Sequence, residues 1–557
     1  MKGASCRIVG ALLVACGTLS APAAAPAEQP CALPLLSALH VPGMTITAAK
    51  VVPESSGRPE YCDLHGSVTT TGDGVDPGSA EFEIKLPANW NHKFLFWGVG
   101  GLAGSLNPSA NRTDVSESLV KGYATAITDT GHQGKPFAPA WALTSTGVRN
   151  LSAVADYFYR AGHQVTVAAK QLVESYYHAS SIRYSYFDGC SYGGHMGLME
   201  AERYPNDYDA VIAGAPYLTN RTQLWGYKNA KAFLNAYIPR QLMRTIDDAI
   251  KANCDVADGV ADDLIQNPAQ CSFDPDTLVP ATLTENQAAA LKIYLRAVTD
   301  TTGRLVFPGS SVSDLATNQL ASGILPAAEN APPVDRRAAE PWGTGAPLVW
   351  DLAEAFINYF VELDPEFNAN VDWPEIDGRI APVALRLFDL QTELGNVDQA
   401  DRLRTFLKKG GKILMYHGYS DPLIPPYRTI WFYQDLARKR RDAVEKQVRL
   451  FMVPGMSHCG GGPGPNSFDT LTALENWAEK DSAPDSILAT HFKNNDPRSV
   501  PDRTMPLCRF PEEARYAGTG DVTAASSWSC TGNRDLMKTG PNGVQAQAIR
   551  AAAVRSR

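Results

Sequence analysis

The stretch Ile182-Arg183-Tyr184-Ser185-Tyr186-Phe187-Asp188-Gly189-Cys190-Ser191-Tyr192-Gly193-Gly194 reads as a strand that breaks into a helix through one tight turn. Residues 182–187 have the aromatic and β-branched character of a strand. Gly189 to Gly193 then form a G-x-S-x-G pentapeptide, with a further glycine at Gly194. In such an elbow the serine sits on a strained strand-to-helix turn, where a Cβ on either flank would crowd the backbone. A helix is expected from Gly193 or Gly194, its free N–H groups turned towards the group the serine attacks.

The pattern on either side supports a parallel α/β sheet. Short β-rich runs appear from about Glu81, as in Lys93–Trp97 and residues 123–128, and residues 150–177 carry apolar side chains at helical spacing. After Ala215-Pro216 the alternation stops, and a region of aromatics, prolines and an acidic loop follows. It resumes with a helix over 397–409, a strand over 412–416, a helix over 427–439 and a strand over 447–453. The expected fold is therefore α/β, an α/β-hydrolase fold with a large inserted lid domain. Its parts are a leader (1–27), a first core segment with the elbow (28–217), the lid (218–385) and a second core segment (386–557).

A serine hydroxyl becomes a useful nucleophile only when a base takes its proton and an acid orients that base. The chain order Ser…Asp…His selects Asp421, after the 412–416 strand, and His458, after the strand ending at Val453. Both fall in loops at strand C-terminal ends, where open α/β sheets place their sites. His417 is the rival base, and His132 and His195 are candidates to line the cleft. The oxyanion would be held by the N–H of Tyr192 and by an N–H of the loop Gly98-Val99-Gly100-Gly101, with Gly101 the chosen donor.

Composition narrows the class. Of 557 residues 44% are hydrophobic and 20% charged, which suits a globular chain with a large core. The net charge of -9 is spread rather than blocked, so no basic stripe is available for nucleic acid. Lys2 and Arg7, the apolar run from Ile8 to Ala15 and the Ala/Pro-rich stretch from Ala21 to Ala27 read as an export leader. Leu13-Val14-Ala15-Cys16 resembles a lipoprotein box and Ala21-Pro22-Ala23 a soluble-export cleavage site, so a periplasmic or secreted protein is expected, membrane-attached only if Cys16 is lipidated. Removing Cys6 and Cys16 with the leader leaves eight of ten cysteines, an even number for an oxidising compartment. Closeness along the chain suggests Cys31 with Cys62, Cys254 with Cys271 and Cys508 with Cys530, with Cys190 and Cys459 left over.

At these residues the chain resembles the tannase and feruloyl esterase family, which also contains the mono(2-hydroxyethyl) terephthalate hydrolases. The match includes a cysteine beside each reacting group (Cys190 before Ser191, Cys459 after His458), the stretch Tyr416-His417-Gly418 with Ser420-Asp421, Val453-Pro454-Gly455-Met456-Ser457-His458-Cys459, and Ala213-Gly214-Ala215-Pro216. The resemblance implies a Cys190–Cys459 disulfide, which accounts for the leftover pair. It also implies a structural Ca²⁺ in the loop Cys254 to Leu264, with Asp255, Asp258 and Asp262 and the carbonyls of Val260 and Leu264 as ligands; calcium takes roughly six to eight oxygens. No cofactor is implied for catalysis. The family often has arginine where this chain has His195. The implied activity is hydrolysis of small aromatic esters such as ferulates or gallates, with a mono(2-hydroxyethyl) terephthalate-type ester as the alternative. Trp225, Tyr227, Phe233, Trp342, Trp350 and Phe356 are candidate walls for the acyl group. A reading from another class is a non-catalytic, surface-attached binding protein that retains the scaffold.

Overall fold

A computed structural model describes residues 30–545 except 56, 317–332, 334, 336, 340, 344–345 and 377–378. The leader and Cys16 lie outside the described residues.

Nine strands share one sheet: β1 (Met44–Val52), β2 (Tyr61–Thr70), β3 (Gly78–Pro87), β4 (Lys93–Trp97), β5 (Ala124–Thr128), β6 (Tyr184–Cys190), β7 (Ala210–Gly214), β8 (Lys412–Gly418) and β9 (Val448–Val453). Their spatial order is β1-β2-β3-β5-β4-β6-β7-β8-β9. The pairs from β1 to β5 through β3 are antiparallel, and every pair from β5 through β4 to β9 is parallel. The composition of each strand follows its place. β5, β7 and β9 are buried at every position, as strands covered on both faces must be. β2 instead alternates, burying Cys62, Leu64 and Val68 while their neighbours are partly open.

The helix expected over 150–177 is divided: Leu151–Ala155 and α1 (Ala161–Tyr176) are joined by a π-helical turn, Asp156–Arg160. There the buried Arg160 Nε donates to Asp156 Oδ1 at 2.6 Å, an anchor that periodicity does not reveal. After the elbow, α2 (Tyr192–Arg203) begins at Tyr192 rather than at Gly193 or Gly194. The expected helix over 397–409 is only a 3-10 turn, Ala400–Leu403, followed by Arg404–Lys408. Ahead of it the chain is held by a tertiary contact, Val397 N donating to the Leu218 carbonyl at 3.0 Å.

Between β7 and β8 the chain builds a second apolar core. Helix α3 (Arg221–Phe233) packs on α4 (Leu348–Phe356), and Tyr227, Phe233, Trp342 and Trp350 are buried with Leu224 and Phe388. This segment sits over the C-terminal edge of the parallel strands and contributes Trp225 and Phe356 to a cavity shared with the sheet. Beyond β8 follow α5 (Pro426–Lys439), α6 (Thr470–Lys480) and the antiparallel pair β10 (Ser486–Phe492) and β11 (Pro501–Cys508). Among the described residues, four disulfides join Cys31 to Cys62, Cys190 to Cys459, Cys254 to Cys271 and Cys508 to Cys530. No helix among the described residues is long and apolar enough to cross a membrane.

Candidate active site

Ser191 carries the break between β6 and α2 in its own backbone, with φ 64° and ψ -126°. A non-glycine residue reaches that region only when its surroundings enforce it. Ser191 N donates to the Gly214 carbonyl at 2.9 Å, and its carbonyl accepts from His195 N and Tyr217 N, both at 3.1 Å. Gly189 and Gly194 are sterically required. A Cβ on Gly189 would meet the Gly193 carbonyl carbon at 2.4 Å, and one on Gly194 would meet the Gly214 oxygen at 2.6 Å.

A second strap, missed by sequence reasoning, crosses beneath the elbow. Ser109 N donates to the Gly98 carbonyl at 2.9 Å, Ser109 Oγ donates to the Cys190 carbonyl at 2.9 Å, and Cys190 N returns to the Ser109 carbonyl at 2.5 Å. Nothing in Ser105-Leu106-Asn107-Pro108-Ser109 announces this role, because the partners are backbone groups distant in sequence.

Asp421 and His458 approach from the loops after β8 and β9. The Asp421 carboxylate is fully buried and accepts four hydrogen bonds: Oδ1 from Leu423 N at 2.8 Å and Ile424 N at 3.0 Å, Oδ2 from His458 Nδ1 at 2.7 Å and His417 Nε2 at 3.2 Å. Burial alone would raise this carboxyl, but His458 and His417 beside it hold it well below the ordinary carboxylate range. An ionised Asp421 at Nδ1 leaves the lone pair of His458 on Nε2. His417, the rival for the role of base, is buried behind Asp421. Thr429 Oγ1 donates to its Nδ1 at 2.8 Å, while Nε2 faces both Asp421 and the Ile424 carbonyl at 2.9 Å.

Ser191, Tyr192, Gly101 and His458 line one cavity of about 350 Å³. Gly101 has φ +62°, and a Cβ there would meet the Pro136 carbonyl oxygen at 2.4 Å. Both peptide planes around it are held: the Gly100 carbonyl accepts from Ala103 N at 3.1 Å, and the Gly101 carbonyl from the Tyr157 hydroxyl at 3.1 Å. Tyr157 in turn stacks on Tyr192, with centroids 4.3 Å apart, and its carbonyl accepts from the Tyr192 hydroxyl at 2.5 Å. One aromatic pair thus ties the Gly101 loop to the start of α2.

His132 and His195 do not line the cavity. His132 donates from Nε2 to the Leu102 carbonyl at 2.8 Å and stacks on Trp141. His195 is fully buried, with Nδ1 on the Tyr217 carbonyl at 3.0 Å. Burial lowers each to about 4, so both stay neutral and brace the walls. Of the aromatics named above as candidate walls, Trp225 and Phe356 reach the cavity, whereas Tyr227, Phe233, Trp342 and Trp350 belong to the core of the inserted segment.

The acidic loop after Cys254 offers a mixed donor set. Asp255 is buried: Oδ2 accepts from Asp263 N at 2.9 Å, and Oδ1 has no protein partner among the described residues, an orphaned oxygen suited to a cation. Asp262 Oδ2 is engaged by the Arg503 guanidinium, so it offers less to a metal than its spacing suggests. The Asp258 side chain lies outside the described residues. Val260 and Leu264 follow in the same loop, and the Leu264 side chain packs so closely on Gly455 that a Cβ there would meet it at 2.4 Å. The loop therefore abuts the segment that carries His458.

A family model described as tannase and feruloyl esterase matches residues 62–531. The mono(2-hydroxyethyl) terephthalate hydrolase of Piscinibacter sakaiensis is 29% identical over 539 residues, covering 87% of this chain and 87% of its own. A probable feruloyl esterase of Arthroderma benhamiae is 31% identical over 470 residues, covering 80% and 81%. The crystal structure of feruloyl esterase B from Aspergillus oryzae superposes with a TM-score of 0.72 at 22% identity, covering 89% of this chain and 98% of that one, a likeness of fold.

Proposed function

Because the chain belongs to the tannase and feruloyl esterase family, and is with it a carboxylic ester hydrolase, we propose that it cleaves esters of aromatic acids through an acyl-enzyme on Ser191. The observation that carries this reading is the bond from His458 Nδ1 to the ionised Asp421, with His458 and Ser191 on one cavity wall. His458 Nε2 takes the Ser191 hydroxyl proton as Oγ attacks the ester carbonyl. The N–H groups of Tyr192 and Gly101 hold the oxyanion, and the His458 proton passes to the departing alkoxide. Water, deprotonated by the same nitrogen, then releases the acid and restores Ser191. No cofactor is needed. The binding-protein reading is set aside by the hydrolase membership.

The acyl side of the cavity supports an aromatic acid, since Phe137, Trp225 and Phe356 line it. Among the described residues no lysine or arginine lines it, which favours a neutral phenolic ester over a terephthalate monoester with its free carboxylate. The loop at Asp255 is read as a structural Ca²⁺ site, with Asp255 Oδ1 as its best ligand and Asp258, Asp262 and the carbonyls of Val260 and Leu264 completing it; the ion would order the loop and take no part in the reaction. Export to an oxidising compartment is supported by four disulfides.

The test is hydrolysis of methyl ferulate and methyl gallate by the purified protein, with Ser191→Ala as the blank and a fluorophosphonate as the label. Serine-dependent turnover and labelling of Ser191 are expected. Turnover that survives in Ser191→Ala would overturn the mechanism.

A further inference from the structure

We propose that Gln223 is a specificity-determining residue that accepts a hydrogen bond from a ring hydroxyl of the acyl group; this rests on the aromatic-ester reading above. Gln223 is buried in the first turn of α3 and lies on the cavity wall. Its orientation follows from a chain of buried hydrogen bonds that starts at groups unable to reverse.

The backbone N–H of Asn220 donates to Asn396 Oδ1 at 2.9 Å, and the backbone carbonyl of Thr392 accepts from Asn220 Nδ2 at 2.8 Å. The Asn220 amide is therefore turned with its nitrogen to Thr392 and its oxygen to Tyr217. The Tyr217 hydroxyl must donate to Asn220 Oδ1, at 3.1 Å. Its oxygen is then the acceptor for Gln223 Nε2, at 3.0 Å. A carboxamide carries its oxygen on the branch opposite its nitrogen, so with Nε2 committed to Tyr217 the cavity is offered a carbonyl acceptor.

An acceptor in a cavity walled by Trp225, Phe356 and Phe137 discriminates by chemistry. A phenolic hydroxyl supplies the missing donor. An unsubstituted ring leaves the carbonyl unpaired and dry, and a carboxylate, itself only an acceptor, is repelled. Thus Gln223 selects the ring substituent, and Tyr217, which touches Asn220 and Gln223, acts as its positioning residue.

The experiment is the ratio of kcat/KM for methyl 4-hydroxycinnamate over methyl cinnamate. The ratio is expected to be at least about tenfold in the unaltered protein, the worth of one well-placed hydrogen bond, and to fall towards one in Gln223→Leu. Tyr217→Phe, which frees the amide to turn while keeping it, is expected to lower the ratio too, and stands as the test if the leucine variant does not fold. A ratio near one in the unaltered protein, or a ratio that survives both substitutions, overturns the proposal while leaving aromatic-ester hydrolysis in place. Turnover of neither ester overturns both together.

Discussion

His417 Nε2 stands 3.2 Å from Asp421 Oδ2, the same oxygen that His458 Nδ1 approaches at 2.7 Å. One imidazole thus holds the carboxylate that orients the other. Asp421→Asn is expected to fold and to lose about 10⁴ in kcat, because an amide that donates to Nδ1 puts the imidazole in the wrong tautomer. His417→Phe removes only a supporting donor and is expected to cost roughly tenfold in kcat, with KM little changed. Steady-state kinetics of the two variants separate these roles; equal losses would place His417 in the reaction itself.

Gly98 and Gly193 touch across the elbow: a Cβ on Gly98 would lie 2.5 Å from Gly193 Cα. Both partners are backbone, so nothing flexible can yield. Gly98→Ala is expected to shift the Gly98–Gly101 loop from the elbow, lowering kcat by about 10² and stability by about 1–3 kcal/mol. Kinetics and a melting curve on one sample measure both.

Asp129, at the end of β5, is raised to about 7 by burial, although Gly131 N at 2.8 Å and Glu81 N at 3.0 Å both donate to its Oδ1. The folded state therefore holds a proton that the unfolded chain, with an ordinary pKa of about 3.9, releases earlier. The resulting stabilisation is complete below about pH 4 and lost as pH rises through about 7. Asp129→Asn keeps the acceptor without the charge, so it is expected to raise Tm relative to the parent at pH 8 and to do so less at pH 5. An equal gain at both values would remove the titration account.

Calcium is expected to raise Tm, since a ligand bound only to the folded chain stabilises by mass action. Chelation should reverse the gain, and Asp255→Asn, which replaces the orphaned carboxylate, should abolish it. Melting curves with and without the ion decide; a calcium response that persists in the variant would move the ion elsewhere.

The sheet was legible where local pattern and tertiary context agree. The continuous apolar strands β4, β5, β8 and β9 announce themselves, and the elbow glycines forecast a close approach of backbone that the contacts of Gly189 and Gly194 display. The antiparallel β1 and β2 went unread although β2 buries Cys62, Leu64 and Val68 at alternate positions, because their polar faces dilute the apolar signal. Chain order, together with a place in a loop just after a strand, picked out Asp421 and His458, which the structure brings to within 2.7 Å. The support of Ser109 could not be read, because it joins segments distant in sequence, and that of His417 and Thr429 depends on how the connection from β8 to α5 folds back on itself. Likewise, the ion pair of Arg503 with Asp262 joins residues far apart in sequence and changes what the acidic loop offers to a metal.

The bond between Cys190 and Cys459 spans 269 positions, and the whole inserted segment lies between them. The insertion is thus part of a covalent ring whose clasp sits beside Ser191 and His458. A cut anywhere in that segment would open the ring without separating the two halves of the enzyme.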